Sequence, residues 1–307
     1  MRIISETKQK RNYKLDNIKA LLIFLVVLGH FIEPFIEDKQ SLKILYTLIY
    51  SFHMPLFVLV SGMLLKLNNN KFKKSSIIIP TILFQLFFSI SQFLINKSFF
   101  SPYWILWFML TLFIWNYMTP YIVKIKYHFI ISLLSAIFCI SFSFTRVIVF
   151  YLFFLIGYHL DDINLEKIRK YKKYFYLTSI IGFVITIFIF VDINPKIFYY
   201  SLGYKDLGLA YFQGLLIRII SLCISFIFSM SIYLLMTNKK QKFTYIGKNT
   251  LSIYLFHGII IKTLPLIYLV KNYSYYILII LSIIVTLILS IKHITNMIKK
   301  TTNFIIK

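Results

Sequence analysis

The chain has 307 residues, of which 59% are apolar and only 14% are charged, and its mean hydropathy is +0.78. A soluble domain carries about 25% charged residues and fewer apolar ones. This composition therefore excludes an ordinary soluble protein and predicts an all-α, polytopic integral membrane protein. Since no stretch is long or polar enough for a separate soluble domain, we expect residues 1–307 to form a single integral membrane domain.

The net charge of +24 comes from 34 Lys and Arg residues against 10 Asp and Glu residues. The basic residues lie in short segments between apolar stretches and form no separate basic face, so we expect the lipid bilayer as a partner and no nucleic acid. The two cysteines, Cys139 and Cys223, lie in apolar stretches and predict neither a disulfide framework nor a metal site.

Apolar stretches predict about ten transmembrane helices along the chain. They lie at about 17–36, 42–65, 76–95, 103–123, 129–144, 146–160, 174–191, 209–236, 251–270 and 275–291. The segments between them are predicted to be loops, with a basic linker at 237–250 and a tail at 292–307. With the N-terminus inside, the inner segments hold 24 Lys and Arg residues and the outer segments hold 7. This bias predicts that both termini are cytoplasmic, in a bacterial plasma membrane.

A continuous apolar run separates Lys19 from His30, eleven residues further along the first predicted span. Eleven helical residues rise about 16 Å, roughly half the hydrocarbon thickness of a bilayer. With Lys19 at the inner surface, His30 lies near or just past the midplane, where an ionisable side chain indicates a functional site. By the same helical rise, His53 on the second span reaches a similar depth. The alternative for both is a packed histidine bonded to a backbone carbonyl.

Two arginines and a third histidine are further candidates. Arg218 lies about ten residues inside its span, too deep for an easy reach to the surface, whereas Arg146 at the head of span six would equally serve as an interfacial anchor. The guanidinium fork suits phosphate or carboxylate groups. His257 lies seven residues into span nine, and a packed role is as compatible with its position as a functional one.

Asp16 lies three residues before Lys19, so the two side chains can pair on one helix face. A helix cap with a positive-inside anchor explains this pair as well as a role in binding an anionic donor. The sequence contains no nucleophile elbow, P-loop, dinucleotide fingerprint or metal-ligand spacing. Intramembrane His, Arg and Lys without a nucleophilic Ser motif suit base-assisted group transfer from an anionic carrier, and they equally suit proton-coupled transport.

Four stretches of the sequence resemble acyltransferase family 3 of integral membrane proteins, most closely its fucose 4-O-acetylase-like branch. They are Leu15–Lys19 with Val26–His30, Phe52–Phe57 with Ser61 and Gly62, Arg146 with Phe153–Tyr158, and Phe243–Gly247 with Thr250–His257. Two features depart from the common pattern of the family. Lys19 stands where members commonly carry Arg, and Leu152 stands where they often carry Pro.

The resemblance implies transfer of an acyl group, usually acetyl, from cytoplasmic acetyl-CoA to a hydroxyl of a cell-surface or lipid-linked sugar. His30 would act as general base or acyl carrier, and His53 and Arg146 would orient the acceptor or polarise the thioester. The residues expected to bind the donor are Lys19, Asp16, Arg218 and His257, and no metal is expected. A transporter or flippase, or a scaffold subunit of a polysaccharide assembly machine, are the competing interpretations. The sequence makes no prediction of an oligomeric state.

Overall fold

A computed structural model of the protein describes residues 12–94, 105–139, 145–160 and 162–306, and all regular elements within these ranges are helical. This confirms the all-α prediction. The α-helices are α1 Tyr13–Ile32, α2 Gln40–Leu67, α3 Ser75–Leu94, α4 Trp107–Ile122, α5 His128–Phe138, α6 Thr145–His159, α7 Asp162–Lys170, α8 Lys172–Ile185, α9 Val191–Ile193, α10 Tyr211–Leu235, α11 Thr244–Lys248, α12 Thr250–Thr263, α13 Leu266–Tyr273, α14 Tyr276–Leu289 and α15 Lys292–Ile306.

Short helical turns join some of these elements. A π-helical turn, Thr186–Phe190, makes α8 and α9 one continuous stretch. Turns of 3₁₀ helix follow α1 at Glu33–Phe35 and precede α10 at Pro195–Tyr199 and Lys205–Leu207. The turn after α1 coincides with Pro34, whose ring and missing N–H disfavour continuation of the α-helix.

Four helical stretches in the described ranges are long and apolar enough to cross a membrane: Tyr13–Phe35, Gln40–Leu67, Lys172–Ile193 and Tyr211–Leu235. A fifth results if Tyr276–Leu289 and Lys292–Asn303, which are bent by 60° relative to each other, form one broken span. The other apolar helices are shorter. Ten spans and cytoplasmic termini therefore stay predictions.

The helices α1 and α2 are the centre of the fold. The most apolar part of the α1 stretch is 61% buried and that of α2 is 72% buried, against only 22% for the stretch Lys172–Ile193. A helix that is apolar all round is stable only where other helices surround it or where it meets lipid. The side chains of α1 and α2 are therefore packed by protein, while the stretch Lys172–Ile193 presents most of its apolar surface outward.

The helices α2 and α6 approach each other with their backbones in contact. A Cβ atom at Gly62 would collide with the carbonyl oxygen of Phe154, and a Cβ atom at Gly157 would collide with that of Leu59. Such close approach between helices requires small residues at the crossing. The crossing fixes the relative positions of the helix that carries His53 and the helix that carries Arg146.

A second close contact joins the start of α1 to the segment that includes α11. The side-chain amide of Asn17 donates to the carbonyls of Thr237 and Lys239, both at 3.0 Å, and its oxygen accepts from the hydroxyl of Thr244 at 2.6 Å. A Cβ atom at Gly247 would collide with the carbonyl oxygen of Asp16. The predicted basic linker is therefore held against α1.

Several predicted boundaries are wrong in informative ways. The predicted loop 161–173 contains α7, the predicted linker contains α11, and the predicted tail forms α15. These helices are charged, so a search for apolar runs does not detect them. The predicted span 251–270 is divided into α12 and α13, with the break at Leu264 and Pro265, because Pro cannot continue the α12 hydrogen bonding. Residues 95, 103–104 and 140–144 of other predicted spans lie outside the described residues.

Candidate functional site

A cavity of about 110 Å³, called the histidine cavity below, lies among α1, α2, α4, α6, α12 and the turn Pro195–Tyr199. Its polar lining residues are His30, Glu33, Tyr50, His53, Arg146, Tyr199 and Tyr254. Since one water occupies about 10–15 Å³ of such volume, the cavity has room for small chemical groups and is too small for a whole nucleotide or sugar chain. The structure thus brings together the three residues predicted as catalytic, His30, His53 and Arg146.

His30 is held by a carboxylate. Its Nδ1 lies 3.1 Å from Oε2 of Glu33, one helical turn further on, and 3.4 Å from the hydroxyl of Tyr50. The other oxygen of Glu33 accepts a hydrogen bond of 2.8 Å from the hydroxyl of Tyr199, which is itself hydrogen-bonded to Tyr46. A carboxylate at Nδ1 fixes the orientation and tautomer of an imidazole and stabilises the imidazolium that forms when the ring takes up a proton.

The other two histidines are held by backbone carbonyls. Nδ1 of His53 donates to Ile49 at 2.8 Å, and Nδ1 of His257 donates to Ile253 at 3.0 Å and to Tyr254 at 2.7 Å. Because a carbonyl only accepts, Nδ1 carries the hydrogen in both, and Nε2 of the neutral ring is then an acceptor. His53 and His257 therefore fit the alternative of a packed histidine bonded to a backbone carbonyl, whereas the contact described above for His30 is with a carboxylate.

His257 adjoins the cavity through His30. The two rings stack with centroids 5.5 Å apart. His257 is fully buried, and its Nε2 has no hydrogen-bond partner among the residues that the structure describes. His257, which was predicted to bind the donor, therefore lies against His30, a lining residue of the histidine cavity.

Arg146 supplies a positive charge to the lining of the cavity. It is the second residue of α6, and its guanidinium carbon lies 4.5 Å from the centroid of the Trp107 ring. Stacking on an aromatic ring fixes the plane of the guanidinium, and its N–H donors point outward in that plane. An imidazole–carboxylate pair beside a guanidinium can remove a proton from a hydroxyl and stabilise developing negative charge.

Asp16 and Lys19 lie away from this cavity. They form an ion pair of 3.0 Å near the start of α1, and Asp16 is almost fully buried. Along α1, Asp16 is 14 residues from His30, which corresponds to about 21 Å. Their role in donor binding stays a prediction, and their contacts also fit the alternative of a structural pair at a helix start.

Arg218 lies in a third place. It is 2% exposed, and its Nη1 donates weakly to the carbonyls of Ala136 and Cys139 at 3.5 and 3.4 Å. The rings of Tyr200 and Tyr204 flank its guanidinium at 5.5 and 5.3 Å. These contacts connect α10 to the end of α5, and Arg218 does not line the histidine cavity. Its predicted role in donor binding therefore has no shared cavity to support it.

The functional candidates that the sequence analysis missed are Glu33 and Tyr199. Glu33 had a readable signal, because a carboxylate three residues after a histidine lies on the same helix face. Tyr199 is 166 residues away from Glu33 in sequence and meets it only through tertiary packing. Within the described ranges, no group of three or more His, Cys, Asp or Glu residues is placed to hold a metal ion.

Comparison with known proteins gives two similarities. The model of acyltransferase family 3, described as an acyltransferase domain, matches residues 12–292. The nodulation protein NolL of Sinorhizobium fredii is 44% identical over 57 residues, a segment that covers 18% of this chain and 16% of that protein. The chain therefore matches about one sixth of this relative's length. No solved structure matches the chain.

Proposed function

We propose that this chain, which belongs to acyltransferase family 3 and is a membrane acyltransferase, moves an acetyl group from acetyl-CoA to a hydroxyl of a cell-surface or lipid-linked sugar. The observation that carries this proposal is the pairing of His30 with Glu33 in a cavity that also contains Arg146. Such a pair is suited to a general base, and the small cavity is suited to the meeting of two reacting groups.

The reaction begins with the acceptor hydroxyl beside His30. His30 takes the hydroxyl proton, and the negative charge of Glu33 stabilises the imidazolium that results. The hydroxyl oxygen forms a bond to the thioester carbonyl carbon, and the carbonyl oxygen becomes an oxyanion next to the guanidinium of Arg146. The carbon–sulfur bond then breaks, and the CoA sulfur leaves and takes the proton from His30. In an alternative course, His30 itself carries the acyl group between donor and acceptor.

The test is acetyl transfer in membranes that contain the native acceptor, measured with radiolabelled acetyl-CoA. His30→Ala removes the base, and we expect it to reduce the label in the polysaccharide or lipid-linked fraction at least 10²-fold. His293→Ala is the matched control, since His293 is exposed on α15 and should leave transfer unchanged.

Two results would contradict the proposal. Transfer at the wild-type level in the His30→Ala membranes would remove His30 from the mechanism. Absence of label even in the wild-type membranes, with the protein inserted, would favour a transporter that uses the same histidines and arginine as a binding site.

A further inference from the structure

A second, larger cavity, called the basic cavity below, lies at the start of α1 among α1, α7, α8 and the end of α10. Its volume is about 630 Å³, within the range of about 300–1,000 Å³ that is usual for small-molecule sites. Three cationic residues line it, each from a different helix: Lys14 from α1, Arg169 from α7 and Lys172 from α8. Among the lining residues that the structure describes, Glu166 is the one carboxylate, so these residues carry an excess of two positive charges.

The three cations are not neutralised by described carboxylates. Among the described residues, none of them forms an ion pair with a carboxylate. Lys14 is half-buried and experiences the repulsion of Arg169. Its ammonium group lies 4.2 Å from the centroid of the Tyr233 ring, and its backbone N–H donates to Asn238 at 3.0 Å. Gathering like charges around one cavity costs free energy that a bound anion would recover.

We propose that this cavity binds a phosphate-bearing anion. Lys and Arg are the residues that bind phosphate in proteins, Arg through its fork and Lys as a point charge. Two sources share this chemistry: the phosphates of a nucleotide such as the acyl donor, and the headgroup of an anionic phospholipid. The wall suits both, because it also contains the aromatic ring of Tyr176 and the apolar side chains of Leu234 and Leu235.

The nucleotide source rests on the proposed function, and the phosphate site itself does not. Lys14 lines one cavity and His30 the other, and the 16 residues of α1 between them correspond to about 24 Å along the helix axis. Binding at the basic cavity can therefore be measured independently of acyl transfer.

The experiment compares two double variants with the same net charge. The wall variant, Arg169→Gln with Lys172→Gln, removes two cations from the lining of the basic cavity. Because both residues are exposed, we expect the variant to fold. Lys170→Gln with Lys173→Gln is the matched control, since it removes two exposed cations from the same two helices, α7 and α8, that do not line the cavity. Both are made in the full chain carrying His30→Ala, without acceptor, so that the readout is binding alone.

The first measurement is the dissociation constant of CoA for the chain in nanodiscs of phosphatidylcholine. The second is the amount of phosphatidylglycerol that the purified chain retains after extraction from mixed vesicles of phosphatidylcholine and phosphatidylglycerol, measured by mass spectrometry. A tenfold or greater weakening of CoA binding in the wall variant alone supports the site and identifies the nucleotide source. Loss of retained phosphatidylglycerol in the wall variant alone supports the site and identifies the lipid source.

The proposal is overturned if the wall variant and the control variant behave alike in both measurements. This includes an equal loss in both variants, which would show that only the general positive charge attracts the anions. A failure of acetyl transfer in the wild-type chain would reject the proposed function and leave these binding results intact.

Discussion

The partner of each ring nitrogen distinguishes three histidines that look alike in the sequence. Nδ1 of His53 and Nδ1 of His257 each meet a carbonyl within one turn of their own helix, an arrangement that places the hydrogen of the neutral ring on Nδ1. Nδ1 of His30 meets the carboxylate of Glu33 instead. A carboxylate at this distance can stabilise an imidazolium that forms during a reaction, so we expect His30 to be the histidine that takes up a proton from a substrate.

Glu33→Gln tests this assignment. The substitution keeps the size of the side chain and removes the charge that stabilises the imidazolium of His30. We expect acetyl transfer to fall about 10²-fold or more through kcat, with the KM for acetyl-CoA little changed. Glu37→Gln is the control, since Glu37 is exposed and pairs with Lys43 at 3.4 Å. Equal activity of the Glu33→Gln protein and the wild type would show that the carboxylate has no part in the reaction.

At the scale of helices, the four stretches that resemble the acyltransferase family form two packed pairs. The stretch that begins α1 packs on the stretch that contains Gly247, and the stretch in α2 packs on the stretch in α6. In both pairs a glycine faces a backbone carbonyl of the partner segment. These motifs therefore combine residues that line the histidine cavity with residues that hold the helices around it.

Gly157→Ala tests the α2–α6 contact. The new methyl group would collide with the backbone of α2 at Leu59, and backbone cannot move aside as a side chain can, so we expect a loss of about 1–3 kcal/mol of stability. Gly182→Ala is the matched control, because its methyl group would meet only movable side chains, the ring of Phe228 at 3.1 Å and Ile224 at 3.9 Å. The measurement is the midpoint of thermal unfolding in detergent. A midpoint for Gly157→Ala equal to or above that of Gly182→Ala would contradict the prediction.

Apolar runs in the sequence located α1, α2 and α10 within a few residues, because the length and composition of a buried helix are local properties. Charged helices such as α15 were not found, since their stability depends on packing against neighbours. The same division applies to the site. Depth along a helix identified His30 and His53, but the hydrogen bond between Tyr199 and Glu33 depends on tertiary packing. Depth also indicated a functional role for Arg218, whose described contacts connect α5 and α10.

At the scale of the whole molecule, the orientation in the membrane relates the two cavities to each other. The basic cavity lies at the start of α1, and the histidine cavity lies near its other end. If α1 and α2 both cross the membrane, the short connection between them lies on the opposite side from the start of α1. The charge bias of the sequence predicts that this start lies in the cytoplasm, where nucleotides are available.

Cysteine labelling tests this orientation in a chain whose native cysteines, Cys139 and Cys223, are replaced by Ser. Asp38→Cys lies in the connection between α1 and α2, and Asn68→Cys lies directly after α2, both at exposed positions. We expect a membrane-impermeant maleimide to label Asp38→Cys in intact cells and Asn68→Cys only after permeabilisation. The reverse pattern would put the basic cavity outside the cytoplasm and leave the lipid headgroup as its phosphate source. Labelling of both positions in intact cells would mean that α2 does not cross the membrane, and then the two cavities would not face opposite sides.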